Sequence, residues 1–513
     1  MRRRALWLGF ALVLTGVALH VPGFVAARDM GFAMTGMSMG VPMTVGMALI
    51  VAGVSVSLWS LWPPRALAGG AGTERYAALD TATLSRSHWS LFAVLTVALV
   101  VDVMKPASLG FVVPGLAREY GMSTTAAATL PLVAIAGTVI GSLVWGYLAD
   151  QLGRRATMLL SAQLYIGTAI CGFMPAFGWN LVMCFTMGAA AGGMLPTVYS
   201  LMSESMPARW RGILVVLQSG LGTALGYLAA STAATLLIPY LSWRGMWLLG
   251  APTGTLLIAL NRWIPESPRF LLARGRIAEA NVVMSRYGIR PAPAAPAAAA
   301  ATVTPGFAAR MAALAGRAYR QRTLGVLVYG LAWGLVNWGF ITYLPTLLNG
   351  GERVNRLLAL SSVLAAPAAL IAALAYRKLG SRRAMTVYCG LTAGALVAFA
   401  ILRPDRTGNW LLPALLAVLL AATAGMSAML SPYAAEVYPT ALRASGSGMA
   451  AAATKAGGLV GPLLLASIPG VGVLAIVAAV PVAAAAVTLH LAGVETVGRN
   501  LLEADPVTEG AGS

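Results

Sequence analysis

The fold class this sequence predicts is an all-α membrane protein of about fourteen transmembrane helices, two similar six-helix halves behind a two-helix hairpin. Three observations predict it. The first is composition. Of 513 residues, 58% are hydrophobic and only 10% are charged, with mean hydropathy +0.79. A soluble globular protein carries about 25% charged residues, so a water-soluble fold of this length would expose far too much apolar surface. The second is a repeat. Glu204, Pro207 and Arg211 recur at the same spacing as Glu436, Pro439 and Arg443, each set after a long apolar run. Repeated halves built of membrane spans are the architecture of transporters with a central site. The third is charge placement. The net charge of +19 resides in short loops between apolar runs, which is the positive-inside pattern. Nucleic acid is thereby excluded as a partner, and the lipid bilayer becomes the solvent.

Each apolar segment is long enough to cross the hydrocarbon as a helix, for which about 20 residues suffice. No alternating pattern of the β-barrel type is present. The hairpin, residues 1–62, comprises Leu6–Val25 and Val41–Leu61. A cytoplasmic linker, 63–88, follows. The first bundle, 89–264, contains Trp89–Val112, Thr124–Leu148, Ala156–Ala176, Trp179–Met202, Ile213–Ile238 and Trp243–Ile264. A basic cytoplasmic loop, 265–322, separates it from the second. There Pro265–Ala280 predicts a short surface helix, and Gly288–Pro305 is a Pro/Ala-rich linker. The second bundle, 323–495, contains Thr323–Leu348, Leu357–Tyr376, Ala384–Leu402, Trp410–Tyr433, Ala444–Ile468 and Gly470–Leu491. A cytoplasmic tail, 496–513, closes the chain.

With the N-terminus inside, the inward loops hold Arg154, Arg155, Arg209, Arg211, Arg377 to Arg383 and Arg443, and the outward loops are poorer in basic residues. This places both termini in the cytoplasm and the protein in the cell membrane; a monomer is the expected state. The first segment has two readings. It is a retained anchor, or, with Met1-Arg2-Arg3-Arg4 before it and Val25-Ala26-Ala27 after it, a cleaved signal peptide. Cys171, Cys184 and Cys389 all fall in spans and read as small core residues, not as a disulfide framework.

Three carboxylates sit where helix dipoles disfavour them. Asp150 lies at the C-terminal end of the second body span, and Arg154 and Arg155 open the next; both signs oppose their own helices. Asp150 therefore needs a cation or the N-terminus of another helix. Glu204 and Glu436 pose the same problem, each with an arginine seven residues on.

The stretch Gly146-Tyr147-Leu148-Ala149-Asp150-Gln151-Leu152-Gly153-Arg154-Arg155 resembles the loop signature of the major facilitator superfamily. Glu204–Arg211–Gly212 and Pro265-Glu266-Ser267-Pro268-Arg269-Phe270-Leu271-Leu272 are similar to its sugar-porter and organic-ion branch. The resemblance covers about residues 89–495 and implies a major-facilitator-type 6+6 helix bundle. It also implies that Gly146, Asp150, Gly153, Arg154, Arg155, Glu204, Arg211, Glu436 and Arg443 form cytoplasmic gating latches, which tie the halves together while the outer side is open. The second half departs from the signature, because Arg377 stands where the aspartate would be. The antiporter pattern of glycine and proline is also missing from the fifth body span, where Gly220, Gly222 and Gly226 lack the proline. Uniport or symport is the expectation.

Few ionisable residues fall well inside body spans: Asp102, Lys105, Lys455 and His490 at one margin. A charge at the bilayer centre costs roughly 2.5–3.5 kcal/mol on insertion scales, so such a residue faces a partner or a watery cavity. Asp102 and Lys105 share a helix face. They form either a self-neutralised pair or a proton-coupling site, and Pro106 loosens the helix beside them. Lys455 has no carboxylate within a turn and precedes Gly457-Gly458. It either snorkels or receives the charge of an anionic substrate, as the resemblance to the organic-ion branch implies. Trp333, Asn337 and Tyr343 in the seventh body span, with Gln218 and Gln163, are further substrate-binding candidates, inter-helix bonding being the alternative for the amides.

Met30, Met34, Met37, Met39, Met43 and Met47 crowd the hairpin, with His20 before them. Met39, Met43 and Met47 share one helix face and Met30, Met34 and Met37 another. Thioethers and imidazole suit Cu(I); adaptable packing is the other reading. The sequence as a whole points to an importer of a small organic anion, facilitative or linked to a proton gradient, with no cofactor and no catalytic residues. A copper transporter using the hairpin and a non-transporting sensor on the same fold are the alternatives.

Overall fold

The computed structural model describes residues 2–62, 73–127, 129–289, 306–341, 367–402, 411–467 and 470–498. All regular elements among them are helices. The chain opens with α1 (Arg2–Ala18), α2 (Val21–Ala26) and α3 (Val41–Leu61), then α4 (Thr73–Thr81). Next come α5 (Arg86–Glu119), α6 (Thr124–Ala127), α7 (Thr129–Leu152), α8 (Arg154–Gly167), α9 (Phe177–Ser205) and α10 (Ala208–Leu241). The short helices α11 (Gly245–Leu248), α12 (Gly250–Leu260), α13 (Pro268–Ala273), α14 (Ile277–Arg286) and α15 (Phe307–Ala315) follow. The rest are α16 (Arg320–Gly334), running into a π-helical stretch Leu335–Ile341, then α17 (Ala368–Leu379), α18 (Ser381–Leu402), α19 (Leu411–Glu436), α20 (Arg443–Ser467) and α21 (Val471–Ala492).

Among the described residues, eleven helical segments are long and apolar enough to cross a membrane. The other three expected spans fall outside that set. Trp243–Ile264 is broken into α11, α12 and a 3-10 turn at Asn261–Trp263. Leu357–Tyr376 is described only from Pro367 onward, and Ala444–Ile468 coincides with the 25-residue α20.

The chain divides into two compact units. One comprises Met1–Ala66, Ala93–Val198 and Gly222–Glu266. In it α1 and α3 pack with their backbones almost touching. A Cβ on Gly9 would lie 2.5 Å from the Gly53 carbonyl oxygen, and one on Gly16 the same distance from that of Gly46. Glycines seven residues apart on both helices thus form the seam, since small residues let membrane helices approach closely. The hairpin also packs on the body: Val13, Ile50, Met34 and Met43 share an apolar cluster with Ile166, Ile170 and Phe173. Helix α3 begins at Val41 with Pro42 in its first turn, as expected from proline's fixed φ. The Met30, Met34 and Met37 face is not helical: only Arg28–Met30 forms a 3-10 turn, and residues 31–40 are irregular. Gly31 at φ 64 and Gly36 at φ 84 hold that loop out of the helical region.

The other unit comprises Leu67–Phe92, Tyr199–Leu221 and Ser267–Ser513. Its core runs from Val326, Tyr329 and Phe340 to Phe399, Met426 and Leu474. The start of the central loop is not a surface helix. Ser267 caps α13 by accepting from the Phe270 amide, and Arg269, Phe270, Leu271 and Leu272 are buried. Its arginine has a buried partner, described below. The region 290–305 lies outside the described residues.

Candidate functional site

The loop after α7 begins with a chain reversal at Gly153, whose φ of 100° disfavours any side chain. This turn lets Arg154 open α8 while reaching back to Asp150, at 3.1 Å, and to the Ala149 carbonyl, at 3.0 Å. Asp150 therefore receives the cation its position demanded. The N-terminus of α8 is satisfied by Glu266, a residue with no assigned role in the sequence reading. Its carboxylate accepts from the Arg154 amide at 2.8 Å and from the Arg155 amide. Arg155 also reaches the Asn261 side chain, at 3.4 Å. Gly146 is buried one turn before Asp150.

The same device recurs within the second unit. Gly380, at φ 85, precedes α18, and Glu495 accepts from the Ser381 amide at 2.7 Å and from the Arg382 amide. A Cβ on Gly380 would lie 2.3 Å from Glu495. An anion at a helix N-terminus is favourable in both cases. The repeat thus includes the capping glutamates, although the aspartate of the first signature is replaced by Arg377.

Within the second unit, the glutamate of the first set and the arginine of the second are joined across the sequence. Glu204, at the end of α9, pairs with Arg443, the first residue of α20, at 2.9 Å, and both side chains are fully buried. Removing one partner of such a pair costs roughly 3–5 kcal/mol. Arg443 also donates to the Thr440 hydroxyl and the Tyr438 carbonyl. Arg211 is paired with Asp80, which comes from α4 in the linker. Asp80 also holds Arg269, at 2.6 Å. Glu436 accepts from the Tyr376 hydroxyl at 3.1 Å. Seven-residue spacing within one loop leaves open which partner a long side chain reaches.

Within the spans of the first unit, Asp102 accepts a hydrogen bond from the Tyr165 hydroxyl of α8. The Lys105 Nζ has no hydrogen-bond partner among the described residues. It lies over the Tyr165 ring, 5.8 Å from its centroid, and so close to Gly250 that a Cβ there would meet it at 2.5 Å. Tyr165 thus takes the place next to Asp102 that helical spacing offered to Lys105. Gln163 is buried, and neither of its amide atoms has a hydrogen-bond partner among the described residues.

Within the second unit, the Lys455 Nζ sits 4.6 Å from the centroid of the Trp338 ring, a cation–π contact. Two glycines make it. A Cβ on Gly334 would strike the Thr454 carbonyl oxygen at 1.8 Å, and one on Gly457 that of Leu331 at 2.2 Å. The backbones of α16 and α20 therefore touch, and Trp338 rests against Gly458. Trp338 and Asn337 lie in the π-helical stretch, a feature common at functional sites. Trp333 donates its indole N–H to the Thr423 carbonyl at 2.8 Å. Gln218 is fully buried, and neither of its amide atoms has a hydrogen-bond partner among the described residues. Tyr343 lies outside the described residues. Of the hairpin residues, Met34 and Met43 are in apolar packing, Met37 and Met47 flank it, Met39 lies in the irregular loop and Met30 is exposed. The His20 Nδ1 is 2.8 Å from the Gly16 carbonyl oxygen, and its ring stacks with Phe173.

A node missed entirely lies on Glu119. It pairs with Arg244 at 2.6 Å and accepts from the Trp243 indole, the Met34 amide and the Thr35 hydroxyl. Arg244 donates further to the carbonyls of Gly172 and Met174. The methionine loop is thereby tied to the end of α5, to the 3-10 segment Thr168–Phe173 that follows α8, and to the start of α11.

The niacin transporter NiaP of Acinetobacter baylyi is 27% identical over 398 residues, 75% of this chain and 88% of the relative. The 4-hydroxybenzoate transporter PcaK of the same organism is 31% identical over 206 residues, 40% of this chain and 45% of the relative. The solved structure of the proton:xylose symporter XylE matches with TM-score 0.66 at 18% identity, over 83% of this chain and 100% of that one, which is a likeness of fold. The family model of the Major Facilitator Superfamily matches residues 91–462. The chain is a multi-pass membrane transporter that belongs to the Major Facilitator Superfamily, with extra helices ahead of the matched region.

Proposed function

We propose that this transporter moves a small organic anion, an aromatic or heteroaromatic carboxylate, across the cell membrane by alternating access, coupled to protons and working as a monomer. One observation carries the reading: the Lys455 ammonium held against the face of Trp338 by the glycine contact of α16 and α20. Such a pair offers an aromatic carboxylate both a charge for its carboxyl group and a ring to stack on. Niacin and 4-hydroxybenzoate, in the names of two relatives, are of that class. Asn337 is the polar candidate beside it. Asp102, hydrogen-bonded to Tyr165 and near the cation Lys105, is the proton carrier. The pairs Asp150–Arg154 and Glu204–Arg443 serve as cytoplasmic latches.

Uptake of labelled nicotinate and 4-hydroxybenzoate into cells expressing the protein tests the proposal. Lys455→Ala is expected to lower uptake at least about tenfold with unchanged amounts of protein in the membrane. Equal uptake by the variant and the parent removes Lys455 from the site.

A further inference from the structure

The linker ahead of the first body helix supplies an acid to the latch. Asp80 on α4 is buried, and one oxygen of its carboxylate bridges two buried arginines, Arg211 at the start of α10 and Arg269 on α13. Arg211 and Arg269 are close enough to repel, and Glu436 is the other carboxylate that Arg211 senses. Two guanidinium groups this close, out of water, need a shared anion. The linker makes a second contact with the central loop. The His88 ring stacks on Tyr287 at 4.4 Å, just beyond α14, and burial pushes the Tyr287 hydroxyl up to about 12, so it stays neutral. Asp80 is thus held in place by its own segment.

We propose that Asp80 is a gating residue: the linker's carboxylate neutralises Arg211 and Arg269, and its release accompanies the opening of the Glu204–Arg443 latch. Asp80 pairs with Arg211 and Arg269, and Glu204 with Arg443, while buried Arg75 lies on α4 with Asp80. Removal of Asp80 leaves two adjacent cations, and Arg211 then competes for Glu436. The segment joining the hairpin to the body is therefore part of the switch, beyond any role as a tether.

The inference rests on the latch reading of Glu204 and Arg443, and the test separates the two. Ser445 is fully buried two residues beyond Arg443. Ser445→Cys, in a background with Cys171, Cys184 and Cys389 replaced by alanine, is labelled with a membrane-impermeant maleimide in inside-out vesicles. Labelling is expected to be slow in that parent and to quicken about tenfold, a modest shift in a two-state equilibrium, on adding either Glu204→Gln or Asp80→Asn. The double change Asp80→Asn with Arg269→Gln, which again balances charge, is expected to return labelling toward the parent rate. A merely structural role for Asp80 would not be rescued in this way. If Glu204→Gln quickens labelling and Asp80→Asn does not, the assignment of Asp80 is wrong. If neither does, the latch reading falls with it. Should Asp80→Asn fail to fold, the charge-balanced double variant decides: parent-like labelling supports the proposal and fast labelling overturns it.

Discussion

Glu266 and Glu495 show what a single carboxylate does in this molecule. Each closes the N-terminus of a helix that begins straight after a positive-φ glycine, accepting from the first backbone amides. Those amides have no partner within their own helix. Replacing Glu266 with alanine is expected to cost about 0.5–2 kcal/mol, the usual value of a lost N-cap, and to lower the unfolding temperature of purified protein. Glutamine keeps an acceptor and is expected to lose less than alanine. Differential scanning fluorimetry on the three proteins reads the order, and a loss with glutamine as large as with alanine would show that the charge alone matters. Glu266 was legible as part of a motif, but its task was not, because its acceptor geometry depends on where α8 begins in space. Asp80 was invisible for a related reason. It sits in a polar linker, where one acid among arginines reads as solvated surface until burial is known.

At the scale of elements, the extra hairpin is a built part of the first unit. Its glycine seam and its cluster with Ile166 and Phe173 bind it together and to α8, while the Glu119–Arg244 node secures its loop. Gly46→Leu is expected to force α1 and α3 apart, because even a Cβ there meets the Gly16 carbonyl at 2.6 Å and the His20 ring at 2.6 Å. Overpacking of this kind costs typically about 1–3 kcal/mol. The unfolding temperature of purified Gly46→Leu is expected to fall below that of the parent in differential scanning fluorimetry; an unchanged temperature would mean that the seam tolerates bulk. The hairpin's two helices were legible from hydropathy. The contact with the body was not, since a lipid-facing and a protein-facing apolar stripe read alike in sequence.

For the whole molecule, the proposed mechanism predicts that accumulation of the anion follows the proton gradient. In proteoliposomes, an inwardly directed proton gradient is expected to raise uptake several-fold and a protonophore to abolish the rise. Asp102→Asn is expected to remove this gradient-driven accumulation while leaving exchange of internal for external substrate. Loss of both activities would place Asp102 in binding, and loss of neither would remove it from coupling. The sequence by itself determined the solvent, the all-helical class, the duplicated body and its superfamily, because spans and loop signatures are local patterns of hydropathy and charge. It also singled out Lys455 and Asp102 as ionic groups in apolar helices. The tertiary structure alone decided which partners these charges take: Glu204 with Arg443, Asp80 with Arg211 and Arg269, Tyr165 with Asp102, and Lys455 with Trp338. A charged side chain in a buried site is satisfied by whatever group packing brings within reach, and packing joins residues hundreds of positions apart.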